Sequence, residues 1–113
     1  MRGARPPSVV RGEIWLVNLD PTIEREIRKT RPVVIVSPPE IHDYLDTIIV
    51  APITSSSSPA PYRIETHLPK KLGRIVLDQI RTIDKLRLVR RMTALDPTAL
   101  ERCLQGLREL FDP

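Results

Sequence analysis

The chain alternates between short apolar runs and polar, proline-punctuated connections. From Gly12 it enters an almost unbroken apolar stretch, Ile14-Trp15-Leu16-Val17, closed by Asp20-Pro21. A run of that length bounded by turn residues reads as a buried strand. Arg31–Ser37 gives a second strand, built on Val33-Val34-Ile35-Val36 and stopped by Pro38-Pro39. Thr47–Ile53 is a third, β-branched run. Its internal Pro52 cannot donate to a ladder, which predicts a sheet edge or a bulge there. Tyr62, Ile64 and Thr66 then alternate with Arg63, Glu65 and His67, the period-two pattern of a half-exposed strand. Gly73–Ile80 and Arg90–Leu95 supply the last two strands. Between them lie a charged connection, Thr22–Thr30, a single helical turn at Glu40–Tyr44, and a Ser/Pro loop at Thr54–Pro61.

The period changes near the C-terminus. Asp96 is placed to cap a helix and Pro97 suits its first position. Leu100, Cys103, Leu104, Leu107 and Leu110 or Phe111 recur at helical spacing, with Glu101, Arg102, Gln105 and Arg108 on the other side. Such a stripe is a core-facing surface. The elements add up to an α+β, mainly β, fold. It is a small, strongly bent sheet or partly open barrel with the C-terminal helix packed on it. Residues 1–10, with paired prolines and no periodicity, read as a flexible tail, and 11–113 as one domain.

Composition narrows the function classes. The 113 residues carry 18 basic and 14 acidic side chains, a net charge of +4, which predicts a local basic surface suited to nucleic acid or an acidic polypeptide. One cysteine, Cys103, excludes an intrachain disulfide and a thiolate metal cluster, and its apolar neighbours make it a small core residue. His42 and His67 stand at no ligand spacing and read as surface residues, so no metal and no cofactor is expected. With no apolar run of membrane-spanning length and no hydrophobic signal core, the chain reads as cytoplasmic. Four aromatic residues, Trp15, Tyr44, Tyr62 and Phe111, are too few for a base-stacking platform.

Five blocks carry the candidate chemistry. They are Gly12-Glu13-Ile14-Trp15, Leu19-Asp20-Pro21, Arg31-Pro32-Val33-Val34, Pro52-Ile53-Thr54-Ser55 and Asp78-Gln79-Ile80-Arg81-Thr82. Arg31 stands where a polar loop meets a strand too apolar to hold a stray charge. A guanidinium emerging at a sheet end can clamp a phosphate by two hydrogen bonds, or lie in a surface ion pair with Glu24 or Glu26. Thr54 can donate to a phosphate or ribose, or simply start a turn.

The blocks and their order resemble the MazF/PemK family of toxins from bacterial toxin–antitoxin pairs, from about Arg11 to the C-terminus. The resemblance implies an SH3-like/CcdB-like barrel and a metal-independent endoribonuclease. The reaction it implies is 2′-hydroxyl attack on single-stranded RNA, leaving a 2′,3′-cyclic phosphate and a 5′-hydroxyl. It implies catalytic roles for Arg31 and Thr54 by position, with Glu26 and Asp78 as candidate proton acceptors. Arg25, Arg28, Lys29, Ser55, Ser56 and Gln79 are the candidate RNA-binding residues. PemK-like members that use the aspartate also carry an arginine and a histidine where this chain has Val76 and Arg25. Where the family usually has a loop glycine, this chain has Glu24. The partners implied are single-stranded RNA, a second copy of the chain and an antitoxin with an acidic, disordered segment. The alternative is a non-catalytic, CcdB-like toxin of the same fold that binds DNA gyrase.

Overall fold

The fold is that of a computed structural model, which describes residues 8–19, 30–55 and 58–113. Seven strands follow one another: β1 (Glu13–Asn18), β2 (Thr30–Ile35), β3 (Thr47–Thr54), β4 (Arg63–Leu68), β5 (Lys71–Val76), β6 (Arg81–Asp84) and β7 (Leu88–Ala94). A short helix α1 (Pro39–Tyr44) links β2 to β3, and α2 (Pro97–Phe111) closes the chain. The strands run antiparallel in the order β4-β5-β3-β2-β1-β7, with β6 also paired to β3. The result is a curled half-barrel with the C-terminal helix, as the hydrophobic pattern predicts.

The central strands are buried on both faces, which is why their sequences run apolar without alternating. Ile14, Val34, Ile53, Ile75 and Leu77 pack with Cys103 of α2 in one cluster. Trp15, Val17, Val33, Ile35, Ile48, Val50 and Ile83 form a second. Successive residues of β1 and β2 thus feed opposite clusters, and each fully buried aliphatic side chain contributes about 1.5–3 kcal/mol. At Cys103, with no exposed surface, burial raises the thiol pKa to about 11. Asp96 caps α2 by accepting from the Ala99 N–H at 2.7 Å. Leu110 is half-buried while Phe111 is 69% exposed, so the apolar stripe ends before Phe111.

Two glycines matter for the geometry. Gly12 has φ +94°, a conformation L side chains rarely adopt. There it donates to the Ile35 carbonyl at 2.7 Å and accepts from the Leu95 N–H at 2.9 Å, joining the ends of three strands. Gly73 lies against Ile53, where an added Cβ would sit 2.7 Å from Ile53 Cγ2, so β5 can approach β3 only without a side chain there.

Three expectations need correction, and one, at Pro52, holds in a local form. Pro52 stands at the expected edge: it pairs with Val33 on one side, and on the other β3 has no partner strand there. It is tolerated because β3 changes partner at that point, pairing β6 through Thr47–Val50 and β5 through Ile53–Thr54. The expected strand Gly73–Ile80 begins two residues earlier and ends at Val76, and Leu77–Gln79 forms a 3₁₀ turn. Arg81–Asp84 is a strand that the sequence pattern missed. Finally, His42 is buried, with Nε2 2.7 Å from Ser37 Oγ, whereas His67 is exposed as expected.

Candidate active site

The partner change along β3 opens the sheet. Opposite Ala51-Pro52 neither β5 nor β6 continues the ladder, and the 3₁₀ turn that joins them, Leu77–Gln79, takes their place. A cleft of about 400 Å³ lies at this break. Its apolar floor includes Val33, Val50 and Pro52, and its polar wall is Arg31, Thr54, Arg63, Gln79 and Arg81.

Strand geometry explains why Arg31 and Thr54 meet. Val33 pairs with Pro52 and Val34 with Ala51, so continuing that antiparallel register by two residues sets Arg31 opposite Thr54. Side chains two apart share a face, so Arg31 points to the side of Val33, and Thr54 to that of Pro52. Both line the cleft, Arg31 exposed and Thr54 half-buried. Two residues 23 positions apart in the chain are thereby brought together by the sheet, with no contribution from a flexible loop.

The other expected residues divide. Gln79 lines the same cleft. Ser55 follows β3 directly and is exposed, without lining it. Asp78 lies one residue before Gln79 but is directed elsewhere: its Oδ2 is 3.4 Å from Arg63 Nη2, and that hydrogen-bonded pairing holds its carboxyl below the usual range. Glu26, Arg25, Arg28, Lys29 and Ser56 lie outside the described residues, as do Glu24 and the charged connection that carries it.

Two cleft residues escaped the sequence reading. Arg63 was read only as the polar half of an alternating strand. Arg81 stood inside the last block, but its role depends on β6, which was not foreseen. Among the described residues, the side chains of Arg31 and Arg81 have neither an ion pair nor a hydrogen bond, whereas Arg63 is engaged by Asp78. The cleft therefore holds, among the described residues, three guanidiniums against one neighbouring carboxylate. That is an electropositive concavity, with donors suited to phosphate oxygens. Tyr62, which precedes Arg63, has φ +65°, a region costly for a bulky residue. Its carbonyl accepts from the Leu77 N–H at 3.0 Å, which fixes the start of β4 against the 3₁₀ turn. Among the described residues no group of three or more His, Cys, Asp or Glu side chains converges as a metal site. No described helix is long and apolar enough to cross a membrane.

Comparison with known proteins agrees with this architecture. The chain is 35% identical to the endoribonuclease PemK of Escherichia coli, over 95% of this chain and 85% of that protein. It is 34% identical to the endoribonuclease MazF of Staphylococcus epidermidis, over 80% of each. Among solved structures, the toxin MazF-mt6 of Mycobacterium tuberculosis superimposes with a TM-score of 0.74 at 21% identity, covering 88% of this chain and 96% of that one. MazF of Deinococcus radiodurans gives 0.75 at 20% identity, covering 92% and 96%. At that identity these two structures speak for the fold. Residues 10–111 match the family model described as a PemK-like, MazF-like toxin of type II toxin–antitoxin systems, and the chain belongs to that family.

Proposed function

We propose that this chain is an endoribonuclease toxin that cuts single-stranded RNA in the Arg31–Thr54 cleft. The observation that carries the reading is the shared cleft itself: a guanidinium with no carboxylate partner among the described residues, set opposite a hydroxyl by the β2–β3 register. The family and the two endoribonuclease relatives support the same activity.

In this reading Arg31 holds two oxygens of the scissile phosphate by parallel hydrogen bonds, and the Thr54 hydroxyl donates to one of them. Both contacts strengthen as the ribose 2′-oxygen attacks, because negative charge builds on the phosphoryl oxygens. A new O2′–P bond forms as the P–O5′ bond breaks, leaving a 2′,3′-cyclic phosphate and a 5′-hydroxyl. The O5′ atom takes up a proton from solvent water as it leaves, balancing the proton given up by the 2′-hydroxyl. Arg31 stays protonated at ordinary pH and is a poor acceptor for the 2′-proton. Of the two carboxylate candidates Asp78 is already engaged by Arg63, so the proposal gives that proton to Glu26. No metal enters the scheme.

The same reading makes the chain a cytoplasmic homodimer, neutralised by an antitoxin whose acidic segment lies along the basic cleft. Relatives of this fold have been solved with their antitoxins, as for an endoribonuclease from Mycobacterial species and MazE–MazF of Deinococcus radiodurans. The gyrase-binding alternative is not favoured, since the family match is to the PemK and MazF toxins.

The test is incubation of the purified protein with a long RNA, with and without a chelator, followed by mapping of the ends. Arg31→Ala and Thr54→Ala should each lower cleavage by about a hundredfold or more while the circular dichroism spectrum is unchanged. Full activity in both variants overturns the site.

A further inference from the structure

The cleft contains a cation that the Arg31–Thr54 chemistry leaves unused. Arg81 sits on β6 opposite Val50, and Val50 pairs on its other side with Ile35. Side chains directly opposite in a ladder share a face, so Arg81 projects on the side of the sheet that carries Val33 and Arg31. It lines the same cleft as Arg31, is exposed, and its side chain has no ion pair or hydrogen bond among the described residues.

Its distance from Arg31 sets what it can do. One strand, β3, separates β2 from β6, and four residues of β3 separate the partners Val50 and Thr54. With ordinary strand spacing the two α-carbons lie about 10 Å apart across the sheet and about 13 Å apart along it. Two guanidiniums anchored that far apart suit two phosphates of one chain better than two oxygens of one phosphate. The third guanidinium is not equivalent: Arg63 already pairs with Asp78, so its charge is largely offset.

We propose that Arg81 binds a phosphate flanking the scissile one, so that the RNA strand crosses the sheet from β2 toward β6 and is held in register at two points. Arg81 is on this view a substrate-positioning residue. The assignment rests on the RNA-cleaving reading above.

The experiment uses a fluorescent, mixed-sequence 2′-methoxy RNA, which has no attacking hydroxyl, and reads binding by anisotropy across a salt series. Arg81→Gln should weaken binding about tenfold. It should also reduce the slope of log affinity against log salt by about one. Arg81→Lys should recover most of the slope. On a cleavable RNA the Arg81→Gln loss should appear in KM rather than kcat, and a neutral methylphosphonate at the flanking position should reproduce it in the wild type without adding to it in the variant. Unchanged binding and slope in Arg81→Gln, with wild-type RNA cleavage intact, overturns this assignment alone. A loss confined to kcat also overturns it. A wild-type protein that neither binds nor cuts RNA overturns the cleavage reading, and this one with it.

Discussion

Arg63, which lines the cleft, and Asp78, which does not, are fifteen residues apart and joined, with the guanidinium Nη2 3.4 Å from the carboxylate Oδ2. The pairing connects the first residue of β4 to the 3₁₀ turn between β5 and β6, the two elements that frame the opening in the sheet. It also lowers the carboxyl pKa, chiefly through the hydrogen bond from Arg63, so that Asp78 is a weak base at neutral pH.

Asp78→Asn should therefore leave RNA cleavage within about tenfold of the wild type, well short of the 10²–10⁴-fold expected for loss of a general base. Single-turnover cleavage rates measure this directly. A hundredfold loss at saturating RNA would make Asp78 the proton acceptor and remove the assignment to Glu26.

Glu13 is a structural carboxylate of a different kind. It accepts from the Val10 N–H at 2.9 Å, Trp15 Nε1 at 3.0 Å and Arg91 Nε at 2.9 Å, tying the entry to β1 to the edge strand β7. Burial pushes its pKa up, but these three donors outweigh burial and leave it below its ordinary 4.5. A lowered folded-state pKa means the stabilisation is complete above about pH 4.5 and is lost as pH falls through the folded value. Glu13→Gln should cost about 1–3 kcal/mol in urea unfolding at pH 7. The gap between variant and wild type should narrow in acid.

His42 has the opposite charge type and a pH dependence in the same direction. Burial lowers its pKa from 6.5, and Lys85 and Arg11 nearby oppose a second positive charge, while Asp43 favours one. Ser37 Oγ accepts from the Ile49 N–H at 3.1 Å and can donate to the neutral ring, linking α1 to β3. The unfolded chain takes up the proton first as pH falls below about 6.5, so stability should decline there until the folded pKa is reached. Thermal melts from pH 7.5 to 5 should show this decline, and His42→Gln should flatten it. A wild-type profile that is level across this window would contradict the buried, neutral ring.

Much of this was legible in the residues. The runs Ile14–Val17 and Val33–Val36 are apolar on both faces because both faces are buried, and the Asp96-Pro97 start of α2 acts as its residue types dictate. What was hidden depends on partners distant in sequence. Pro52 marks a break in pairing, but nothing local shows that β3 changes neighbours beside it. β6 is four residues long between two 3₁₀ turns, too short for a period, and Arg81 went unnoticed with it. His42 lies on a six-residue helix where no apolar stripe marks the buried side. For the site, Arg31 and Thr54 could be picked out as candidates, but their shared face is a property of the β2–β3 register.

That register constrains chain length more tightly than residue identity. Swapping Val50 for isoleucine would trouble only packing. Adding or deleting a single residue between Pro52 and Thr54 would turn the hydroxyl to the reverse side of the sheet and leave Arg31 facing an unrelated side chain. Along this stretch of β3, up to but not including Thr54, substitutions are the tolerable kind of change and indels the forbidden one.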